Sequence, residues 1–158
     1  MNANAQLIER FYAAFARRDG AAMAACYHPE VHFSDEVFDL HGADAGLMWR
    51  MLTSTGRDLS IEVSGIEADE HAGRAHWDAR YTFGATGRKV LNRIAARFEF
   101  RDGLIVRHVD RFDFWAWSRQ ALGLPGWLLG WSPYLRAKVR AKAAAGLAAF
   151  KQKTGGAG

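Results

Sequence analysis

The sequence predicts an α+β fold in which helices pack on one face of a curved antiparallel sheet. Two patterns indicate it: apolar side chains recur at helical spacing between residues 4 and 52, and four segments between residues 59 and 114 alternate apolar with polar residues. Helices followed by a meander of strands are typical of folds that segregate helices to one face of a sheet. At 158 residues, the chain is long enough for one domain with its own core.

Three helices and one short strand are predicted in the first third of the chain. The predicted helices cover residues 4–17, 21–27 and 42–52, and the strand covers residues 31–34. The second helix begins after Asp19, whose side chain is suited to capping a helix N-terminus. It ends at His28-Pro29, because the residue before a proline avoids the helical region.

Four longer strands complete the predicted domain. They cover residues 59–63, 75–83, 90–100 and 104–114, and Arg101-Asp102-Gly103 is a hairpin turn between the last two. Alternate residues of a strand point to opposite faces of the sheet. In the strand 75–83, Trp77 and Tyr81 therefore lie on one face, and Asp78 and Arg80 lie on the other. The pattern leaves open which of these faces lines the interior.

The end of the chain predicts a helical extension. We expect a short helix over residues 115–122, a turn over residues 123–126, and a long helix that begins at Ser132-Pro133 with the serine as its cap. We assign residues 1–120 to the domain and residues 121–158 to a basic helical extension packed on it. The glycine-rich end, residues 155–158, is expected to be frayed.

Charge is distributed unevenly along the chain. Residues 114–158 carry seven basic and no acidic residues, which leaves a net charge of −3 on residues 1–113 out of the total of +4. The apolar segment 127–131 beside this basic helix is compatible with contact to a membrane surface. The complementary charges favour the alternative, in which the extension packs on the body with its basic face in water. The chain contains no recognisable nucleic-acid-binding module, and no nucleic-acid partner is predicted.

Composition sets further bounds on location and cofactors. The single Cys26 excludes an internal disulfide and a cysteine-based metal cluster. The first residues lack the charged and apolar regions of a secretory signal, and no apolar run reaches the length of a spanning helix, so we expect a cytoplasmic protein. His28 and His32 lie on either side of Pro29 and do not form a helical metal-binding pair. We predict no metal and no cofactor.

The candidate site consists of a histidine and two carboxylates on segments that should help to fill the core. His108 and Asp110 share one face of the last predicted strand with Phe112, and Asp35 follows the strand 31–34. Burying a histidine beside an aspartate among aromatic residues is costly. An unperturbed histidine pKa of about 6.5 suits proton transfer at neutral pH. The alternative is a structural His–Asp pair at a strand end, with Asp35 as a turn or helix cap.

Two segments, FYAAFARRDGAAMAACYHPEVHFSD and FEFRDGLIVRHVDRFDFW, carry a family resemblance. Together with the order of elements, they resemble the SnoaL-like branch of the nuclear transport factor 2-like superfamily over about residues 4–120. That superfamily includes ketosteroid isomerases, limonene epoxide hydrolases, polyketide cyclases and proteins without catalytic activity. The resemblance implies a cone, in which a curved antiparallel sheet wraps around a pocket closed by the N-terminal helices. It also implies a homodimer.

Comparison with ketosteroid isomerase places Asp35 on the proton-shuttling aspartate of that enzyme. Its oxyanion hole consists of a tyrosine and a protonated aspartic acid. The tyrosine position falls on Phe11, with Tyr12 adjacent on a different helical face, and the aspartic acid position falls near Ala96. Both donors are missing, so steroid isomerase activity is not expected.

Two other branches of the superfamily offer partial matches. Epoxide hydrolases use an arginine and two aspartates, and Asp78 with Arg80 resembles such a pair in the opposite order. SnoaL-like cyclases use an acid/base aspartate near the end of the last strands, for which Asp110 is the nearest match and Asp113 the second.

We predict that the chain binds a small hydrophobic, ring-bearing molecule and acts on it by cofactor-free acid/base catalysis of the isomerase, cyclase or hydrolase type. Asp35 is the predicted base or proton shuttle, and His108 with Asp110 is the partner acid/base pair. The predicted substrate-binding residues are Phe11, Phe33, Trp49, Trp77, Asn92 and Phe112. The alternatives are a non-catalytic ligand-binding or dimerisation module, and an adaptor that meets a lipid surface through the basic tail.

Overall fold

The computed structural model describes residues 2–55 and 58–155. The helices are α1 (Ala3–Ala16), α2 (Gly20–Ala25), α3 (Ala43–Thr55), α4 (Phe114–Leu122), α5 (Leu124–Leu129) and α6 (Pro133–Gly155). The strands are β1 (Tyr27–Ser34), β2 (Asp39–His41), β3 (Ser60–Ala68), β4 (Ala72–Phe83), β5 (Arg88–Arg101) and β6 (Leu104–Arg111).

The strands form one curved, unclosed sheet in the order β2-β1-β6-β5-β4-β3. Four of the five neighbouring pairs are antiparallel, as predicted, whereas β1 and β6 run parallel. Parallel pairing requires a long crossover, and the chain between β1 and β6 supplies it. The register places Phe33 opposite His108 and Ser34 opposite Val109. Asp35 and Asp110 therefore lie at the same end of these two strands.

The core lies between the sheet and the N-terminal helices. The apolar face of α1 is fully buried, and Leu7, Ile8 and Phe11 are its innermost side chains. On β5 the burial alternates strictly from Val90 to Phe98, with every second side chain in the interior. These observations confirm the predicted α+β class and the cone formed by a curved sheet and its covering helices.

Several predicted boundaries change in the structure. The strand 31–34 begins four residues earlier, since Tyr27 pairs with Ile105 of β6 rather than ending α2. The strand accommodates Pro29 through an irregularity in its register between Tyr27 and His32. The last strand ends at Arg111, because Asp113 accepts the backbone N–H of Ala116 at 3.0 Å and so caps α4.

The predicted turn over residues 123–126 is wrong, because Leu124–Leu129 forms α5. Pro125 lies in its first turn, where a proline sacrifices no helical hydrogen bond. The predicted long helix is α6, and the Ser132 hydroxyl accepts the backbone N–H of Leu135 at 3.2 Å as its cap. This helix continues through Gly155, and the remaining residues of the predicted frayed end lie outside the described part of the chain.

Helix α6 lies against the first part of the chain. Leu135 and Leu147 are buried, and Leu147 joins the main hydrophobic core. A guanidinium nitrogen of Arg136 lies 2.6 Å from a carboxylate oxygen of Glu36, and Nζ of Lys151 lies 3.0 Å from a carboxylate oxygen of Asp44. None of the helices in residues 2–55 and 58–155 is long and apolar enough to cross a membrane.

Candidate functional site

A cavity of about 590 Å³ opens between the interior face of the sheet, α3 and α6. Its wall is mainly apolar and aromatic, with a small polar group. The aromatic side chains of the wall include Phe15, Trp49, Trp77, Tyr81, Phe112 and Trp117, and its polar side chains include Asp35, Asn92 and Asp110. Helix α6 contributes Val139 and Lys142. An apolar volume with a few convergent polar groups is the usual form of a small-molecule site.

Asp35 stands at the end of β1, where the chain turns towards β2. Its Oδ1 accepts the backbone N–H groups of Val37 at 2.7 Å and of Phe38 at 2.6 Å. Burial raises the pKa of Asp35 to about 6, against the lowering effect of these two hydrogen bonds. The negative charge of Asp110 adds to the increase, and His108 opposes it. The carboxyl group therefore exchanges its proton near neutral pH while it faces the cavity.

Asp110 reaches the cavity from β6 and is held by His108 on the same strand. Nε2 of His108 lies 2.9 Å from Oδ1 of Asp110, and both side chains are buried. His108 itself has no exposed surface and does not line the cavity. The sequence predicts it as a catalytic residue, and the structure connects it to the cavity only through Asp110.

Two residues complete a buried hydrogen-bond chain with this pair, and the sequence analysis assigned neither of them to it. The indole N–H of Trp49 donates to the Tyr27 hydroxyl at 2.7 Å, and that hydroxyl lies 2.8 Å from Nδ1 of His108. Because the hydroxyl oxygen already accepts from Trp49, its own proton is free to point at Nδ1. With the Tyr27 proton at Nδ1, the other ring nitrogen, Nε2, is placed to donate to Asp110.

The position of Tyr27 explains why sequence reasoning missed it. Its predicted place at the end of a helix does not bring it near the last strand. Only the parallel pairing of β1 with β6 brings it beside Ile105 and His108. A tyrosine directly before His28-Pro29 could have been recognised as the start of a strand, since a proline ends a helix but is tolerated at an irregular strand position.

Two further buried donors lie in this region without partners. In the described part of the chain, the hydroxyl of Tyr12 and Nε1 of Trp77 are buried and make no hydrogen bond. Burial raises the pKa of the Tyr12 phenol well above its usual value, and the charge of Asp110 adds to this, so the hydroxyl keeps its proton. Trp77 contributes to the cavity wall, but its Nε1 is covered by neighbouring atoms.

Most of the predicted site residues lie on the cavity wall, and they are Asp35, Trp49, Trp77, Asn92, Asp110 and Phe112. The other predicted residues, His108, Phe11 and Phe33, lie behind the wall. Phe11 and Phe33 are fully buried, and their rings lie 5.5 Å and 5.0 Å from the His108 ring. They enclose His108 rather than touch the cavity, because the histidine occupies the space into which the predicted pocket would extend.

The interior face of β4 carries Trp77, Ala79 and Tyr81, so this face of the strand lines the cavity. Asp78 lies on the opposite face, where it pairs with His76 at 3.0 Å, and Arg80 lies near Glu62. The pair that resembles the epoxide hydrolases is therefore outside the cavity.

A separate group of side chains on β1 and β2 could hold a metal ion. The sheet register places His32 opposite His41, and their rings stack with centroids 4.1 Å apart. The ligand atoms of His32, Asp39 and His41 lie within 4.8 Å of one another. This cross-strand arrangement depends on the pairing of β1 with β2, which the spacing of the histidines in the sequence does not indicate.

The chain is similar to proteins of the SnoaL-like and nuclear transport factor 2-like fold. The family model of the SnoaL-like domain matches residues 8–108. Comparison of the sequence with curated proteins finds no match. The chain is similar to a nuclear transport factor 2-like protein of unknown function from Burkholderia pseudomallei, with 21% identity and a TM-score of 0.63 over 72% of this chain and 92% of that chain.

Two other solved structures share the architecture at similar distance. An LEH-like epoxide hydrolase from M. tuberculosis is 22% identical, with a TM-score of 0.62 over 80% of this chain and 96% of that chain. TerC, crystallised with polyporic acid, is 18% identical, with a TM-score of 0.64 over 75% of this chain and 98% of that chain. These identities support a shared fold.

Proposed function

The chain belongs to the SnoaL-like family, and from this premise we propose that it binds a small ring-bearing molecule in the cavity and moves a proton on it without a cofactor. One observation carries the proposal. Two carboxylates, Asp35 and Asp110, face the same largely apolar cavity, and Asp35 has a pKa raised to about 6. A carboxylate that titrates near neutral pH is a usual form of general base in such a site.

Asp35 is the proposed base and proton shuttle. Its two backbone donors are bound to Oδ1, so they fix the orientation of the carboxyl group and leave Oδ2 to meet a ligand. The ionised carboxylate removes a proton from an acidic C–H group, and the resulting carboxylic acid returns it to another atom of the same molecule. An isomerisation or a cyclisation by proton transfer needs no further reactant.

Negative charge that develops on the ligand oxygen needs donors. The oxyanion donors of ketosteroid isomerase are replaced at Phe11 and Ala96, both of which are buried and apolar. We assign their role to the side-chain amide of Asn92 on β5, which is largely buried and lines the cavity. A donor that is already desolvated stabilises developing charge without the cost of reorganising water.

Asp110 is the proposed second carboxylate, and His108 is a positioning residue that acts through it. The hydrogen bond from His108 keeps Oδ1 of Asp110 engaged and its carboxylate oriented. The negative charge of Asp110 adds to the raised pKa of Asp35, so Asp110 favours the protonated form of that carboxyl group.

The wall indicates the class of ligand. Trp49, Trp77 and Phe112 present flat apolar surface, which favours a molecule with fused or linked rings. Of the related structures, TerC was crystallised with polyporic acid, and another is an LEH-like epoxide hydrolase. We therefore propose a ring-bearing hydrophobic substrate with an oxygen next to the reacting carbon.

The test uses 2-tetralone, a ring-bearing ketone with acidic C–H groups, as a probe. The native protein in D₂O is expected to accelerate hydrogen–deuterium exchange at the carbon beside the carbonyl, as followed by NMR. Asp35→Asn should abolish the acceleration, because the amide cannot take up the proton. Asp78→Asn, a matched change outside the cavity, should leave it intact. Equal exchange in the native protein and Asp35→Asn would contradict the assignment.

A second candidate function is ligand binding without turnover. The observation that favours it is that Phe11 and Ala96, both buried and apolar, stand where ketosteroid isomerase has its two oxyanion donors. Under this alternative, 2-tetralone perturbs the fluorescence of cavity tryptophans equally in the native protein and in Asp35→Asn. Neither protein then accelerates the hydrogen–deuterium exchange of 2-tetralone.

A further inference from the structure

A cluster of large apolar side chains is exposed on α5 and on the chain beside it. We call it the α5 patch, and its members are Trp115, Leu124, Trp127, Leu128, Leu129, Trp131 and Tyr134. Trp127 is 54% exposed and Trp131 is 73% exposed. Contiguous exposed apolar surface of this kind marks sites of contact with proteins or membranes.

The outward direction of these side chains is fixed by the packing of α5 on α4. Gly126 and Gly130 are buried against Ser118. A Cβ atom on Gly126 would lie 1.9 Å from the Ser118 carbonyl oxygen, and one on Gly130 would lie 2.1 Å from its hydroxyl. Only glycine fits this face of α5, so its larger side chains are displaced towards solvent, and Trp127, Leu128 and Leu129 remain exposed.

A cation lies within the α5 patch. The guanidinium carbon of Arg119 is 4.0 Å from the ring centroid of Trp115 and 4.9 Å from that of Trp127. Its Nε is buried and has no hydrogen-bond partner in the part of the chain that the structure describes. Nε itself is covered, but the side chain as a whole is partly exposed, so the guanidinium places a positive charge among the exposed indole rings.

The surrounding charge selects among possible partners. The segment 114–158 has seven basic residues and no acidic residue. Two of them, Arg136 and Lys151, pair with carboxylates of the body, and the other five would bring like charges together in two copies joined through the α5 patch. Nucleic acid offers the anionic oxygens but no counterpart for the exposed leucines. An anionic lipid surface offers phosphate groups and an apolar phase at the same boundary, where tryptophan and tyrosine are favoured.

We infer that the α5 patch docks the protein on the surface of anionic lipid bilayers, with Trp127, Trp131 and the leucines in the boundary of the apolar phase and Arg119 at a lipid phosphate. This contact is peripheral and does not depend on whether the cavity is catalytic. Binding combines buried apolar area with attraction between the basic segment and anionic headgroups, so it weakens as salt is added.

The experiment is co-sedimentation of the full chain with phosphatidylcholine vesicles, with and without phosphatidylglycerol. The native protein should bind the vesicles that contain phosphatidylglycerol. Trp127→Ser combined with Trp131→Ser should weaken binding at least about tenfold, because it removes the most exposed apolar surface. Lys138→Glu, one turn from Tyr134 on α6, should also weaken it. Arg93→Glu makes the same charge change on the exposed face of β5 and should not.

Three outcomes would overturn the inference. The first is native protein that does not sediment with the anionic vesicles. The second is binding of the double tryptophan variant that equals the native value. The third is a native oligomer that dissociates in the double variant, which would make the α5 patch an interface between copies. Thermal unfolding of the double variant that remains a single cooperative transition, well above the temperature of the binding assay, shows that any loss of binding is local.

Discussion

The Tyr27 hydroxyl lies 2.8 Å from Nδ1 of His108, on the other side of the ring from Nε2, which faces Asp110. The contact joins the first and last strands of the domain across their parallel pairing. Its effect passes along the chain from Trp49 through Tyr27 and His108 to Asp110, which faces the cavity. The orientation of the Asp110 carboxylate is thus set by hydrogen bonds buried behind the cavity wall.

Tyr27→Phe is expected to destabilise the fold and to misplace Asp110. It removes the acceptor of the Trp49 N–H and the donor to His108, so two buried polar atoms lose their partner. Each such loss costs about 1–3 kcal/mol. Urea unfolding should show a decrease of at least about 1–3 kcal/mol in the free energy of unfolding, the cost of one such loss.

Tyr134→Phe is the matched control for this change. The Tyr134 side chain is exposed, so its hydroxyl exchanges its contacts with water and its loss should leave the free energy of unfolding within about 0.5 kcal/mol of the native value. Equal stability of Tyr27→Phe and Tyr134→Phe would show that the buried chain contributes nothing to the fold.

The raised pKa of Asp35 predicts that stability falls as pH rises. The pKa is about 6 in the folded state and about 3.9 in an unfolded chain, so between these values the folded state holds the proton that the unfolded state has lost. The favourable contribution is complete below pH 4 and is lost as pH rises through 6. Because each pKa unit corresponds to about 1.4 kcal/mol, the native protein should lose roughly 3 kcal/mol over this window relative to Asp35→Asn.

Unfolding in urea at a series of pH values measures this difference. Glu9→Gln, a change at an exposed carboxylate on α1, should follow the pH dependence of the native protein. If Asp35→Asn also follows the native curve, then Asp35 titrates alike in the folded and unfolded states.

Local patterns in the sequence were sufficient for the fold class but not for the arrangement of the site. Alternation predicted that His108 and Asp110 share a face, since successive residues of a strand diverge whatever the partner strand does. The parallel neighbour of that strand is a long-range choice, and it decides that Phe33 packs on His108 and that Asp35 lies near Asp110. The placement of Phe11 and Phe33 behind the cavity wall depends on the same choice.

Helix α5 is the second feature that residue patterns did not predict. Leu124-Pro125-Gly126 has the composition of a turn, since glycine and proline are favoured in turns. Tertiary contact overrides it, because Gly126 and Gly130 allow α5 to approach α4 more closely than any side chain would permit. Whether a glycine serves a turn or a close approach depends on the packing partner.

The Asp35 carboxyl group also predicts a pH–rate profile for the 2-tetralone exchange. Only ionised Asp35 can remove a proton, so the rate at low probe concentration should rise about tenfold per pH unit below 6 and level off above it. Asp78→Asn should keep the same profile. A rate that continues to rise through pH 8 would assign the titration to another group.

Two glycines in the helical extension predict opposite effects of the same substitution. Gly126→Ala places a methyl group 1.9 Å from the Ser118 carbonyl oxygen, so α5 must move away from α4, and a loss of about 1–3 kcal/mol in the free energy of unfolding is expected. At Gly146 in α6 a methyl group would meet open space among the described residues, so Gly146→Ala should stabilise the helix by about 0.5–1 kcal/mol. Thermal unfolding of the two variants beside the native protein measures both shifts. A harmless Gly126→Ala would mean that α5 is not held against α4, and the fixed outward direction of the α5 patch would lose its basis.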